Sequence, residues 1–495
     1  MDWTGRSNTT EPVTIALIAS PADVPVNDPA FKGFLLFNPG GPSTSGVDYI
    51  VNSLNPVNDT FRKFLPSLVN YTIIGFDPRG VGKTSPSLDC FQTMAQVSAF
   101  QQLSPEPLIR HHSASKVHAK WRSLWATCQL EIQSYAGTQD VARDMLEIHN
   151  KLWAAQGSTG IEHDVNYFGV SYGTALGQTF AQMYPDRVGR FLLDSVIDIH
   201  DMTSGKFEHY MDDVDKTFNR YLELCLEAGV EKCPFAANTT TPAEIEQKLV
   251  RLLERLEDSP MPLLKGATQA GYIGSDSILT RFRNLMYLPM VKGYESWGQI
   301  LELVNNEVQS EELSAFFAGP VEDPVAPLVT QPYLAAEKEE VLNSIYCASG
   351  AGSVTLPQLR KKLVKLEKQT RYGWGVWGNV VAGCSGWKAP SLGIPKIENY
   401  GTATKNPILF AGSGFDVVTP LNNARVASKL WKDSGVLSVP EAIGHSVFSA
   451  RSKCAERAMS EFFQDGVVSK EEIRCKLDEQ LFEKDPTEEE QQQAQ

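Results

Sequence analysis

The stretch from residue 165 to residue 183 constrains the fold of this chain more than any other. Residues 165–168 have the pattern of the end of a buried strand, Gly169 to Gly173 match G-x-S-x-G, and Ala175 to Met183 have helical spacing. A strand, a tight turn and a helix in this order form a nucleophile elbow, whose two glycines make room for a strained turn that exposes the serine. The sequence therefore predicts that Ser171 is a catalytic nucleophile.

A serine nucleophile needs two partners elsewhere in the chain. Its hydroxyl is weakly nucleophilic near neutral pH, so a base must take the proton and an acid must orient the base. With this kind of elbow the order along the chain is serine, then acid, then histidine. Of the eight histidines, only His445 lies late in the chain after an acid that follows a strand, in a loop beyond the apolar residues 436–439. We expect His445 to be the base.

The acid is expected at the end of another strand. Residues 407–411 read as a buried strand and Gly412 to Gly414 as its turn, which puts Asp416 at the carboxyl end, where open α/β sheets place their chemistry. Asp433 is the second candidate, but it precedes a strand. A late histidine can also be a surface residue, and an aspartate after a strand can be a turn former or a helix cap. Taken together in the expected order, the three residues predict a catalytic triad.

A glycine pair follows the early predicted strand at residues 33–37. Gly40 and Gly41 lie between two prolines, at the position where this kind of fold keeps half of its oxyanion hole, and glycine lets backbone N–H groups approach a ligand closely. We assign the two oxyanion donors to Gly41, or its neighbour Gly40, together with the N–H of Tyr172. The alternative is a simple Pro-Gly turn.

The pattern of strands and helices predicts an α/β-hydrolase fold, with a central, mostly parallel sheet and an inserted helical cap. The first part of the core spans residues 1–197 and the last part spans 397–484, while residues 198–396, where strands give way to helices, form the cap. The Glu- and Gln-rich tail at 485–495 is expected to be disordered. Other predicted elements are strands at 13–18 and 71–76, a helix at 138–153 that precedes the nucleophile strand, and cap helices at 242–256, 276–286 and 295–305.

Composition excludes several classes of function. The chain has 495 residues, 42% of them hydrophobic, which is enough for a large core and an inserted unit. A net charge of −14 argues against nucleic acid or an anionic membrane as a partner, and no apolar run approaches the roughly 20 residues of a membrane span. No cysteine or histidine cluster suggests zinc, so we expect neither metal nor cofactor. The oligomeric state stays open.

The loop after the strand at 71–76 contains Gly80 and Gly82. It lacks the spacing of a nucleotide-binding motif, so we expect it to support the active site. Asp77 and Arg79 are expected to form a structural ion pair or to brace this loop.

The eight cysteines bear on the compartment. The first residues lack the basic and apolar regions of a signal peptide, which taken alone indicates the cytosol. Four N-x-T sequons and an even number of cysteines favour secretion instead. We expect four local disulfides, the alternative being buried free thiols in a reducing compartment. The sequons begin at Asn8, Asn58, Asn70 and Asn238, and the expected pairs are Cys90 with Cys128, Cys225 with Cys233, Cys347 with Cys384, and Cys454 with Cys475.

Several motifs together resemble one family, the tripeptidyl-aminopeptidase-like α/β-hydrolases, relatives of proline iminopeptidase. The resemblance covers nearly the whole chain and implies a secreted microbial serine exopeptidase that acts on free N-termini under a helical cap. Family members begin with a signal peptide, so we expect this sequence to lack its first segment. The triad carries over to Ser171, Asp416 and His445, and the oxyanion loop to Gly40 and Gly41. The motifs are residues 38–42, 77–82, 138–144, 169–174, 416–420, 444–446 and the C-terminal stretch 452–475.

The chain departs from the family at two places that bear on the substrate. Ser43 and Thr44 stand where the oxyanion loop is usually richer in glycine, and Ser349 stands where relatives commonly have an aspartate that helps to hold a substrate ammonium. We expect a short peptide or small acyl substrate, with its amine held by a cap carboxylate and aromatic side chains at the entrance. The candidates are Glu337, Glu339, Glu340, Trp374 and Trp377.

Three functions follow from this sequence. The first is an aminopeptidase that works through an acyl-enzyme. The second is an esterase, or a lactone or thioester hydrolase, of small-molecule metabolism, which Ser349 and the missing signal peptide favour. The third is a catalytically inactive binding protein on the hydrolase fold.

Overall fold

The computed structural model describes residues 2–5, 11–53, 60–91, 93–103, 111–266, 271–287, 291–318, 339–390, 392–479 and 482. The strands are β1 (Leu17–Ser20), β2 (Gly33–Asn38), β3 (Tyr71–Phe76), β4 (Val165–Val170), β5 (Val188–Asp194), β6 (Met261–Pro262), β7 (Tyr272–Ile273), β8 (Ile408–Phe415), β9 (Gly435–Ile443) and β10 (Ile473–Arg474).

The helices within the described residues are numbered in chain order. They are α1 (Gly46–Ser53), α2 (Thr60–Phe64), α3 (Met94–Gln102), α4 (Ala114–Thr127), α5 (Thr138–Ala154), α6 (Tyr172–Met183), α7 (Ile199–Thr203), α8 (Val214–Lys232, kinked at Gly229), α9 (Pro242–Asp258), α10 (Ser275–Tyr287), α11 (Val291–Asn305), α12 (Glu311–Ala318), α13 (Glu339–Tyr346), α14 (Leu356–Gln369), α15 (Trp374–Gly383), α16 (Leu421–Leu430) and α17 (Lys453–Asp465).

An eight-stranded sheet forms the centre of the core. Its strand order is β1-β3-β2-β4-β5-β8-β9-β10, and only the edge strand β1 runs antiparallel to its neighbour. Helices cover the parallel strands, and β2 is accordingly buried along its whole length, as its continuous apolar sequence predicts. Because the parallel strands end at one edge, the residues that follow β2, β4, β5, β8 and β9 come together there.

Two predicted strands differ from the observed ones. The strand expected at 13–18 lies at Leu17–Ser20, because Thr14 instead makes an isolated bridge to Ser85. The turn expected at Gly412 to Gly414 is wrong, since these residues continue β8 to Phe415. A Cβ at Gly414 would lie 1.8 Å from the Pro440 carbonyl oxygen, so the glycine lets β8 and β9 approach closely where their register shifts.

Helices α7 to α15 and the hairpin β6–β7 lie between β5 and β8 along the chain. Helix α9 shows why this segment packs, since Ile245, Leu249, Leu252 and Leu256 form the predicted buried face and Thr241 caps its first turn. We propose that this segment is the cap, with the boundaries 198 and 396 and a core on either side. The proposed tail at 485–495 lies outside the described residues.

Four disulfides join the eight cysteines in the expected pairs. They join Cys90 with Cys128, Cys225 with Cys233, Cys347 with Cys384, and Cys454 with Cys475, and each closes a short loop of the chain. Among the helices that the structure describes, none has the length and apolar character needed to cross a membrane.

Candidate active site

Ser171 lies in a strained turn between β4 and α6. Its φ of 57° and ψ of −122° fall in a region that residues other than glycine rarely adopt. The surrounding packing imposes this conformation: a Cβ at Gly169 would lie 2.5 Å from the Gly173 carbonyl oxygen, and one at Gly173 would lie 2.6 Å from the Asn38 carbonyl oxygen. Both glycines of the motif are therefore required for the turn to form, and it presents Ser171 at the carboxyl edge of the sheet.

Asp416 and His445 meet at the same edge. Asp416 is fully buried just after β8, and its Oδ2 accepts the Nδ1–H of His445 at 2.8 Å, while Oδ1 lies 3.1 Å from the same nitrogen. The Oδ1 atom accepts the backbone N–H groups of Val418 and Thr419, and Oδ2 accepts the hydroxyls of Thr419 and Ser195. These donors hold the carboxylate in one orientation, which fixes the proton of the imidazole on Nδ1.

That tautomer leaves Nε2 of His445 as an acceptor. This atom is buried and has no hydrogen-bond partner among the described residues, so the bond to the Ser171 hydroxyl is not formed in the structure. In serine hydrolases this bond is often long until a substrate is bound. The fallback acid, Asp433, lies in the turn that precedes β9, at the opposite end of the strand from His445.

The predicted oxyanion loop follows β2 and lies against the elbow. A Cβ at Gly40 would lie 2.8 Å from Ser171 Cβ and 3.2 Å from the Tyr172 nitrogen, so the two chain segments touch. The N–H of Gly40 donates to Asn38 Oδ1 at 3.0 Å, whereas the N–H groups of Gly41 and Tyr172 have no acceptor among the described residues. This arrangement favours Gly41 over Gly40 as the partner of Tyr172.

The sequence prediction did not include Asp194, the last residue of β5. Its carboxylate accepts the Ser446 hydroxyl and the Val447 N–H, so it anchors the loop that carries His445. Burial raises the pKa of Asp194 to about 6, and its neighbour Ser195 is one of the donors to Asp416. An aspartate at a strand end is a recognisable signal, but its partner at residue 446 is too distant in sequence to predict.

Ser349 connects the proposed cap to the elbow. The Tyr172 hydroxyl contacts Thr138 Oγ1 at 2.7 Å, which contacts Ser349 Oγ at 2.7 Å, and the serine donates to the Ile345 carbonyl. All of these side chains are buried, and burial raises the pKa of Tyr172. The Ser349 hydroxyl is therefore committed to hydrogen bonds inside the protein.

The predicted substrate-binding residues fall into three groups. Glu337 lies outside the described residues. Glu339 and Glu340 begin α13, where the Glu339 carboxylate lies 4.0 Å from Lys120 Nζ and Glu340 is 4% exposed. Trp374 and Trp377 belong to α15, whose backbone alone is described at these positions.

Of the two roles expected for Asp77 and Arg79, the ion pair between them is wrong, whereas a loop brace is observed. Arg79 makes a buried two-pronged ion pair with Asp144 of α5, at 2.5 and 2.8 Å. Asp77 braces its own loop by accepting the Ser45 hydroxyl and the Lys83 N–H. The planar Arg79 guanidinium can donate two hydrogen bonds to one carboxylate, and the Asp144 carboxylate on the neighbouring helix α5 accepts both.

Comparisons with known proteins show the family of this chain. A sequence profile of the alpha/beta hydrolase fold matches residues 33–286, which include the oxyanion loop and the elbow, and a profile of a TAP-like protein matches residues 372–475, which include Asp416 and His445. The tripeptidyl aminopeptidase of Streptomyces lividans is 22% identical over 456 residues, 90% of this chain and 77% of that protein. Serine protease Hip1 of Mycobacterium bovis is 28% identical over 228 residues, which are 44% of this chain and 39% of that protein. Carboxylesterase B of Mycobacterium tuberculosis is 34% identical over 119 residues, which are 23% of this chain and 21% of that protein.

Proposed function

Because the chain belongs to the α/β-hydrolase fold family, we propose that it is a serine aminopeptidase, which releases single residues or short peptides from free N-termini through an acyl-enzyme. The observation that carries the catalytic part is the Asp416–His445 pair at the sheet edge where the elbow presents Ser171. The peptidase part is supported by similarity to a tripeptidyl aminopeptidase over 90% of the chain.

Each residue of the proposed triad then has one step to perform. Ser171 Oγ attacks the carbonyl carbon of the scissile amide bond, and Nε2 of His445 takes the hydroxyl proton. The resulting imidazolium is stabilised by the Asp416 carboxylate and then protonates the leaving amine. Water then attacks the acyl-enzyme while the same nitrogen takes its proton, and the imidazolium gives that proton to Ser171 Oγ as the product leaves, which restores the hydroxyl.

Two backbone N–H groups are suited to the charge that develops on the carbonyl oxygen. Those of Gly41 and Tyr172 find no acceptor in the part of the chain that the structure describes, and the tyrosine N–H is at the first turn of α6, where the helix dipole favours negative charge. Removal of one such donor in other hydrolases costs about 3 kcal/mol of transition-state stabilisation. The strained elbow thus positions the nucleophile and one donor together.

Selectivity for a free N-terminus requires a carboxylate near the substrate ammonium. Among the described residues, the candidates for this carboxylate are Glu339 and Glu340, which begin α13. The last residue of that helix, Tyr346, packs edge-to-face on Tyr172 with 6.2 Å between ring centroids. A carboxylate here would discriminate by charge, since blocking the amine removes the ion pair.

A matched substrate panel tests this proposal. We would measure hydrolysis of free and N-blocked aminoacyl and tripeptidyl amides, and of simple acyl esters, by the wild type and by Ser171→Ala. The expected result is cleavage of the unblocked amides, lost on blocking the amine and lost in the variant. Glu339→Gln and Glu340→Gln would then locate the carboxylate, as the responsible variant should lose the preference for free amines while it retains ester cleavage.

An esterase is the second candidate. A local similarity to carboxylesterase B favours it, as does the commitment of Ser349 to internal hydrogen bonds rather than to a substrate. Ester cleavage that is indifferent to a free amine would establish this function. Absence of all cleavage and of fluorophosphonate labelling would indicate an inactive binding protein.

The proposed location is extracellular. Four disulfides are rare in cytosolic proteins and typical of oxidising compartments. Mass spectrometry of protein from its native source, alkylated before and after reduction, should find no free thiols before reduction. Eight alkylated cysteines in the unreduced sample would overturn secretion.

A further inference from the structure

The proposed cap reaches the proposed catalytic base directly. Helix α10 ends at Tyr287, whose carbonyl oxygen accepts the backbone N–H of His445 at 2.9 Å. The two rings also pack on each other, with 4.6 Å between their centroids and 31° between their planes. Tyr287 therefore contacts His445 through both its main chain and its side chain.

The contacts of Tyr287 restrain a movement of the His445 ring that Asp416 still permits. The carboxylate holds the imidazole at Nδ1, an interaction that still permits the ring to tilt about the line between the two groups. A ring packed on the imidazole face limits this tilt, and hence the direction of Nε2. The backbone bond limits movement of the loop itself, which is further held by Asp194 through Ser446 and Val447.

The immediate charged and titratable surroundings of His445 are few. Asp416 contacts its ring, Asp194 anchors the following residues, and the Arg283 guanidinium lies over the Tyr287 ring, 5.6 Å from its centroid. On the side of the imidazole away from Asp416 lies Nε2, which is buried and has no hydrogen-bond partner among the described residues. Its alignment with Ser171 must therefore come from packing.

We propose that Tyr287 is a positioning residue, by which the cap aligns the His445 imidazole toward Ser171; this rests on the proposed function. It acts through the histidine and needs no contact with the substrate. Its loss should therefore slow reaction of Ser171 with every acylating agent, including a probe too small to reach the substrate-binding part of the cap. A residue that only lined the substrate pocket would affect KM for large substrates.

The test compares three variants for the rate at which a small alkyl fluorophosphonate labels Ser171. Tyr287→Leu keeps the carbonyl but removes the ring and should slow labelling by about tenfold or more, because small misalignments of a base are costly. Tyr287→Phe keeps the ring and should stay within about twofold of the wild type. Tyr272→Leu, the same change at a 68% exposed cap position, is the control and should have no effect.

A spectroscopic readout separates positioning from loss of fold. The low-field proton resonance of the His445 Nδ1–H should persist in Tyr287→Phe and broaden or shift in Tyr287→Leu, with thermal unfolding still cooperative in both. Labelling of Tyr287→Leu at the wild-type rate, or a loss confined to KM for peptides, would overturn the proposal. Failure of the wild type to be labelled at Ser171 would instead overturn the proposed function.

Discussion

Replacement of Asp416 by asparagine gives a prediction whose size follows from the hydrogen bonds. Oδ1 accepts two backbone N–H groups, which cannot rotate away, and Oδ2 accepts two hydroxyls and His445 Nδ1. If the amide NH2 faced the two backbone N–H groups, each would lose its acceptor at about 1–3 kcal/mol. The amide oxygen should therefore take the Oδ1 position, and its NH2 should face the imidazole.

That orientation forces the wrong tautomer on His445. Nδ1 must accept a hydrogen bond from the amide NH2, so the ring proton moves to Nε2, which can no longer take the proton of Ser171. We expect kcat to fall about ten-thousandfold, equivalent to about 5 kcal/mol in the activation barrier, with little change in thermal unfolding.

The assay is the initial rate on the best substrate of the panel, together with the rate of fluorophosphonate labelling. Asp433→Asn is the matched control, because the same change at the turn before β9 should leave both rates unchanged. A rate for Asp416→Asn within tenfold of the wild type, or an equal loss in Asp433→Asn, would refute the assignment of the acid.

Two further predictions concern residues that support the triad. The pKa of Asp194, raised by burial from 3.8 to about 6, means that the folded protein binds a proton which the unfolded chain releases between these values. Its contribution to stability is therefore largest below pH 3.8 and decreases by about 3 kcal/mol as the pH rises through about 6. Asp194→Asn should remove this part of the dependence of the free energy of unfolding on pH, measured by urea unfolding between about pH 4 and pH 7. An unchanged pH dependence would contradict the assignment. Gly173→Ala would place a Cβ 2.6 Å from the Asn38 carbonyl oxygen, so we expect a loss of about 1–3 kcal/mol in urea unfolding and slower labelling of Ser171, whereas Gly274→Ala, which like Gly173 is not at positive φ and whose Cβ would meet only Tyr272 Cε2 at 3.7 Å, should change neither. Equal effects of the two glycine substitutions would show that close packing at the elbow is unimportant.

The sequence predicted the elements that depend on local pattern. The elbow, the helix before it and the buried strands at 71–76 and 436–439 rest on apolar periodicity and on glycine spacing, and both act over a few residues. The order of serine, acid and histidine along the chain selected Asp416 as the candidate acid, since a strand-end position is also a local property. The turn expected at Gly412 to Gly414 was wrong because the chain continues as a strand there, and Gly414 serves close contact with β9 rather than a change of direction.

The supporting residues were not predictable in the same way. Asp194 meets Ser446, Tyr287 meets His445, and Arg79 meets Asp144, each across a long separation in sequence that only the assembled sheet and the cap bring together. The choice between Gly40 and Gly41 also required the structure, because it depends on which N–H the Asn38 side chain already binds.

The most direct test of the central claim is to locate the covalent adduct of a fluorophosphonate probe. Intact mass and peptide mapping should show one adduct per chain, on Ser171 in the peptide that contains residues 169–173, and none in Ser171→Ala. An adduct on another residue, or no adduct in folded wild-type protein, would contradict the assignment of Ser171 as a nucleophile activated by His445 and Asp416.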